Sequence, residues 1–199
     1  MILYLHGFRS SPQSTKAQLM AQAMAERGLS AQFFMPQLPS SPAAAIRLCE
    51  ALIAEQHDGK QPLTIIGSSL GGYYATYLAE QHDCRAILIN PAIYATRDLS
   101  TQLGQLRYFH DDRPFQFTLK DLCELRPLFR AQIKPERYFL LAGDRDEVLD
   151  WQEMSKRYAG AKQIVVPGID HSFSCFSDYI EDMLCLLYTS PSPRDATLS

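Results

Sequence analysis

The chain has 199 residues, 46% hydrophobic and 21% charged, with a formal net charge of −3 at pH 7 and a pI near 5.9. That length suits one domain with a buried core and is short for two. The charge balance gives no footprint for nucleic acid, and the opening Met1-Ile2-Leu3-Tyr4-Leu5 is too short an apolar run for a leader or a span, so a cytoplasmic chain with no nucleic-acid partner and no membrane insertion is expected.

Short apolar runs alternate with helix-length segments, the pattern of a parallel sheet covered on both faces. Ile2 to Leu5 reads as the first strand. Ser11-Pro12 reads as an N-cap and first helical position, opening a helix with Ala17, Met20, Ala21 and Met24 on one face and a stop at Gly28. Gln32 to Met35 is a second strand, and Ser41-Pro42 opens a second helix with Ile46, Cys49 and Ile53 inward. Leu63 to Ile66 is an uncharged central strand, followed by a tight turn at Gly67 to Gly71 and a helix over Tyr73 to Gln81. Arg85 to Ile89, Tyr138 to Ala142 and Gln163 to Val166 are further strands, Asp150 caps a helix near Trp151, and a last helix spans about Cys175 to Leu187. The reading is thus a single α/β domain over residues 1–187, with a mostly parallel doubly wound sheet of about six strands.

Two segments break the alternation. Residues 91–135 hold aromatics and charges without a clear strand, and are read as a small helical cap over the site. Tyr94, Tyr108, Phe109, Phe115 and Phe117 are candidates for its lining, with packing in the cap's own core as the competing role, and no residue is assigned to substrate binding. The tail 188–199, rich in Ser, Pro and Thr, is expected to be disordered and resembles translated sequencing-adapter read-through rather than native protein. The five cysteines, Cys49, Cys84, Cys123, Cys175 and Cys185, are scattered and odd in number, so buried free thiols are expected rather than disulfides or a metal site.

The chemistry-bearing signal is Gly67-Ser68-Ser69-Leu70-Gly71, which matches G-x-S-x-G between an apolar strand and a helix. Only Ser69 has glycine two residues to either side, which makes it the candidate nucleophile. A serine needs a base. His57 and His82 sit in polar helix ends and His110 in the cap, whereas His171 lies on a loop after a late strand, where open α/β sheets place their sites. A carboxylate must orient that imidazole. Asp146 is the candidate, three residues beyond Gly143, with Asp144 as its rival. The order Ser69, Asp146, His171 is that of α/β-hydrolases. His6-Gly7-Phe8 follows the first strand, and the backbone N–H groups of Phe8 and Leu70 are the candidate oxyanion hole, with His6 organising the loop.

Together, Leu5-His6-Gly7-Phe8-Arg9-Ser10-Ser11-Pro12, Gly67-Ser68-Ser69-Leu70-Gly71-Gly72, Asp146-Glu147-Val148-Leu149-Asp150 and Asp170-His171 resemble the YqiA-like family of small bacterial esterases over about residues 1–187. The resemblance implies a compact α/β-hydrolase acting on acyl esters or acyl thioesters such as acyl-CoAs, and supports Ser69, Asp146 and His171 as its triad. It departs from the family in offering two acids, Asp144 and Asp146, after the glycine. Such a serine hydrolase works through an acyl-enzyme and requires no metal or organic cofactor. A non-catalytic binding protein on the same fold and a peptidase or amidase on the same triad are the competing readings. A dehalogenase would need a carboxylate where Ser69 stands. Oligomeric state is not legible.

Overall fold

The computed structural model describes residues 1–188; the segment 189–199, read from sequence as a disordered tail, lies outside the described residues. In chain order the elements are β1 (Ile2–Leu5), α1 (Thr15–Glu26), β2 (Phe33–Phe34), α2 (Pro42–Gln56), β3 (Thr64–Ser68), α3 (Leu70–His82), β4 (Arg85–Ile89), α4 (Ala95–Asp98), β5 (Gly104–Arg107), β6 (Pro114–Phe117), α5 (Leu119–Leu125), β7 (Tyr138–Gly143), α6 (Trp151–Arg157), β8 (Lys162–Val166) and α7 (Ile180–Tyr188). Six strands form one sheet in the order β2-β1-β3-β4-β7-β8, every neighbouring pair parallel.

The alternation of the strands divides the core in two. Leu3, Leu5, Ile65, Leu88, Leu140 and Ala142 face one side, packing with residues of α2, α3, α5 and α6. Ile2, Tyr4, Ile66, Ile87, Phe139 and Leu141 face the other, against α1, α7 and the turn at Phe173 and Phe176. Both faces of the central strands are therefore covered, which is why β3, β4 and β7 are dominated by apolar residues.

The chain leaves β1 toward β2 on one side and returns to β3 on the other, so the order of strand addition reverses between β1 and β3 while the strands stay parallel. A crevice opens outside the carboxyl ends of strands at such a point. His6-Gly7-Phe8 and Ser69 follow those two strand ends.

Several local expectations shift. Ser11-Pro12 does not open α1: Ser11 Oγ accepts from the N–H of Gln13 in a turn, and the helix starts at Thr15 after Ser14. Ala23 rather than Ala21 completes its buried face with Ala17, Met20 and Met24. Ser41 does cap α2, accepting from the N–H of Ala44 with Pro42 in the first turn, and Asp150 caps α6 through the N–H of Gln152. The segment 91–135 contains helices, but also the antiparallel β5–β6 hairpin, which the sequence reading did not include. Its alternating inward residues, Phe115 and Phe117, pack edge-on against Phe8 and join the core cluster on that face of the sheet. Cys49 and Cys84 are buried as expected, but Cys123 and Cys185 are exposed. Tyr188, assigned by sequence to the tail, still belongs to α7. No helix among the described residues is long and apolar enough to cross a membrane.

Candidate active site

Ser69 sits between β3 and α3 with φ 54° and ψ −120°, a conformation side chains rarely adopt. The turn is tight because its glycines admit backbone where a side chain would stand. A Cβ on Gly67 would lie 2.3 Å from the carbonyl oxygen of Gly71, and one on Gly71 would lie 2.0 Å from that of Leu5. The peptide of Ser69 is further pinned by β4 and its exit: its N–H donates to the carbonyl of Ile89, and its carbonyl accepts from the N–H of Ala92, both at 3.0 Å.

His171 meets this serine from the loop after β8. Its Nε2 lies 3.1 Å from Ser69 Oγ, and its Nδ1 lies 2.7 Å from Asp146 Oδ2. The Asp146 side chain is fully buried, and its Oδ1 accepts from the N–H groups of Val148 and Leu149. Asp144 is engaged elsewhere: its Oδ1 accepts from the N–H of Gly168 across the β7 and β8 exits. The chain therefore brings Asp146, not Asp144, to the imidazole. The loop is held by further bonds. Glu147 Oε2 accepts from the N–H of His171, and Lys16 Nζ donates to the carbonyl of Ser172 at 2.7 Å. Burial lowers the pKa of that lysine, with Asp170 and Asp146 opposing the shift.

The loop after β1 closes the other side. A Cβ on Gly7 would stand 3.1 Å from Ser69 Cβ and 3.6 Å from Ser69 Oγ, so the glycine lets the loop lie against the serine. The N–H of Leu70, first residue of α3, has no intrahelical acceptor, and that of Phe8 has no protein acceptor among the described residues. His6 is 5% exposed and bonded at both nitrogens: Nδ1 donates to the carbonyl of Gly7, and Nε2 accepts from the N–H of Leu38 at 3.0 Å. Burial pulls its pKa down to about 4, and nearby His110 adds to the effect against the Gly7 bond. The β5–β6 hairpin sits on this loop. Phe8 packs edge-on to Phe115 and Phe117, Arg9 Nε donates to the carbonyl of Arg107, and the N–H of Phe109 donates to the carbonyl of Arg9.

The other histidines stand apart from this group of contacts. His57 bonds the carbonyl of Gln61, His82 pairs with Glu50, and His110 pairs with Asp111 near the hairpin tip. Of the cap aromatics, Phe117 is buried, whereas Phe109 is 70% exposed. Tyr94 lines a groove of about 330 Å³ with Tyr73, Arg97 and Phe129. Sequence reasoning passed over Asn90, fully buried, whose side chain bonds Gly143, Asp170 and His171. Its signal was a polar residue closing the apolar run Ala86 to Ile89, just before Pro91.

The chain belongs to the uncharacterised protein family UPF0227, whose model matches residues 1–188. A UPF0227 protein of Pectobacterium atrosepticum is 26% identical over 185 residues, covering 91% of this chain and 95% of the relative. Among solved structures, α/β hydrolase domain-containing protein 10 from mouse superposes with a TM-score of 0.69 at 16% identity, covering 94% of this chain and 90% of that one. Est1E from Butyrivibrio proteoclasticus, solved with ferulic acid bound, gives 0.65 at 14% identity, covering 94% and 88%. These likenesses show the α/β-hydrolase fold.

Proposed function

We propose that the chain is a serine hydrolase that cleaves carboxylic esters, and acyl thioesters such as acyl-CoAs, through an acyl-enzyme on Ser69. The observation that carries this reading is the unbroken run of contacts from buried Asp146 through both nitrogens of His171 to Ser69 Oγ. The likeness in fold to esterases, the YqiA-like motifs and the chain order of the three residues support it.

The contacts support the following steps. His171 Nδ1–H donates to Asp146, which leaves Nε2 free to take the Ser69 proton as Oγ attacks the acyl carbon. Charge builds on the former carbonyl oxygen. The N–H groups of Phe8 and Leu70 receive it, and Leu70 adds the positive end of α3. Asp146 stabilises the imidazolium, which then protonates the leaving alcohol or thiol. Water repeats the sequence on the acyl-enzyme and restores Ser69. Each step uses groups of the chain and water, with no metal or organic cofactor.

The test is turnover of p-nitrophenyl esters and acyl-CoAs of increasing chain length by the parent protein and by Ser69→Ala. The variant should retain its unfolding midpoint and lose about 10³-fold or more in kcat on every substrate the parent accepts. Parent-level turnover in the variant would refute the assignment. The panel itself identifies the preferred acyl length and the choice between oxygen and sulfur leaving groups.

A further inference from the structure

We propose that Asn90 is a positioning residue of this site, a buried side chain that ties the end of β7 to the His171 loop and so helps set His171 at bonding distance from both Ser69 and Asp146. The proposal rests on the serine-hydrolase reading above. Asn90 follows β4 directly, is fully buried, and has φ 42°, in the left-handed region that asparagine tolerates better than most residues. Its backbone N–H donates to the carbonyl of Leu141 at 2.9 Å and so extends the β4–β7 ladder by one rung. The left-handed turn then carries the side chain to the last residue of β7 and to the loop that follows β8.

There it makes three bonds of fixed polarity. Oδ1 accepts from the N–H of Gly143 at 2.8 Å, and Nδ2 donates to the carbonyls of Asp170 and His171, each at 3.0 Å. A main-chain N–H can only donate and a carbonyl can only accept, so these partners allow one orientation of the amide. The three contacts reach both remaining members of the site. Gly143 starts the turn that closes on Asp146, whose N–H donates to the Gly143 carbonyl. Asp170 and His171 carry the imidazole. In its own segment, Asn90 stands between Ile89, the last residue of β4, and Ala92, which bond the N–H and the carbonyl of Ser69. Three segments distant in sequence thus meet at one amide. No hydrophobic residue of that size could satisfy two carbonyls and one N–H there, and leaving them bare in a buried position is costly.

The backbone conformation selects the variants. Alanine would be strained at φ 42°, so its defects would mix backbone strain with lost bonds. Glycine keeps the backbone and removes the side chain. Aspartate keeps the shape and the bond to Gly143, but presents oxygen where Nδ2 met two carbonyls. If the bonds to the His171 loop set the site, Asn90→Asp is the more damaging change. If Asn90 only fills space, Asn90→Gly is.

The experiment measures both variants for unfolding midpoint, for kcat and KM on a p-nitrophenyl ester, and for the low-field proton resonance of the His171 Nδ1–H bonded to Asp146. The expected result is folded protein with KM little changed, kcat lowered about 10²-fold in Asn90→Asp and less in Asn90→Gly, and the resonance lost or shifted in the aspartate variant. Folded variants with kcat within about threefold of the parent, or with the resonance unmoved, overturn the proposal; so does the opposite ranking, or failure of both to fold, since each assigns Asn90 to packing alone. Ser69→Ala run beside them separates the two levels of the argument. Turnover surviving in that variant refutes the hydrolase reading, and the His171 resonance still decides whether Asn90 positions the imidazole.

Discussion

Acidification should weaken the fold through His6, and the structure sets both the direction and the size. The ring is held neutral chiefly by its burial, and its partners fix which nitrogen carries the proton. Gly7 offers a carbonyl to Nδ1, so that nitrogen carries the proton, while Leu38 offers an N–H to Nε2, so that nitrogen cannot. Protonating Nε2 would set two donors against each other in a site 5% exposed, and the pKa falls from 6.5 to about 4. An unfolded chain binds this proton near pH 6.5 and the folded one only near 4. Between those values the unfolded state holds more protons, so stability drops as pH falls. Above pH 6.5 the contribution is complete, and below about 4 the group adds no further slope. At 1.36 kcal/mol per pH unit the interval amounts to about 3 kcal/mol. The assay is urea unfolding of the parent and of His6→Gln at steps from pH 8 to 4. Every other titrating group is shared, so the difference between the two curves isolates His6. The parent's advantage should be flat above pH 6.5 and shrink by about 3 kcal/mol toward pH 4. Curves that stay parallel over this range, or an NMR titration placing the His6 midpoint above 6, would refute the reasoning. Because the ring organises the loop carrying Phe8, the same variant should also lower kcat more than it raises KM.

Asp146→Asn leaves shape intact but favours the wrong imidazole tautomer, and kcat should fall about 10³–10⁴-fold. Asp144→Asn should instead cost about 1–2 kcal/mol of stability through its bond to Gly168, with turnover retained; the reverse pattern in ester kinetics would exchange their roles. Gly71→Ala places a Cβ 2.0 Å from the carbonyl oxygen of Leu5, backbone that cannot step aside, and should lower stability by about 3 kcal/mol or abolish folding. A urea midpoint close to the parent's would show that the β1–α3 contact is looser than described.

Much of this molecule follows from local rules. Apolar runs bounded by turn residues placed β3, β4 and β7, and Ser41-Pro42 placed the start of α2, because burial on both faces and capping leave direct marks on composition. The glycines around Ser69 were legible for the same reason: each records a close approach of backbone. Chain order and loop position singled out His171 among the five histidines.

What the sequence left open was decided by contacts between distant segments. Spacing from Gly143 favours Asp146 but leaves Asp144 as a rival, and the path of the loop after β8 is what bonds Asp144 to Gly168 and Asp146 to His171. Residues 104–117 carry no strong strand pattern, yet they pair as a hairpin whose Phe115 and Phe117 pack against Phe8. Ser11-Pro12 has the form of a helix start, but Ser11 is spent on a turn and α1 begins at Thr15. Asn90 shows the division most clearly. By itself it is a polar residue ending a strand. Its partners at 143, 170 and 171 are 53 to 81 residues away, and hydrogen bonds over such spans depend on how the sheet stacks its strand ends, which no local pattern encodes.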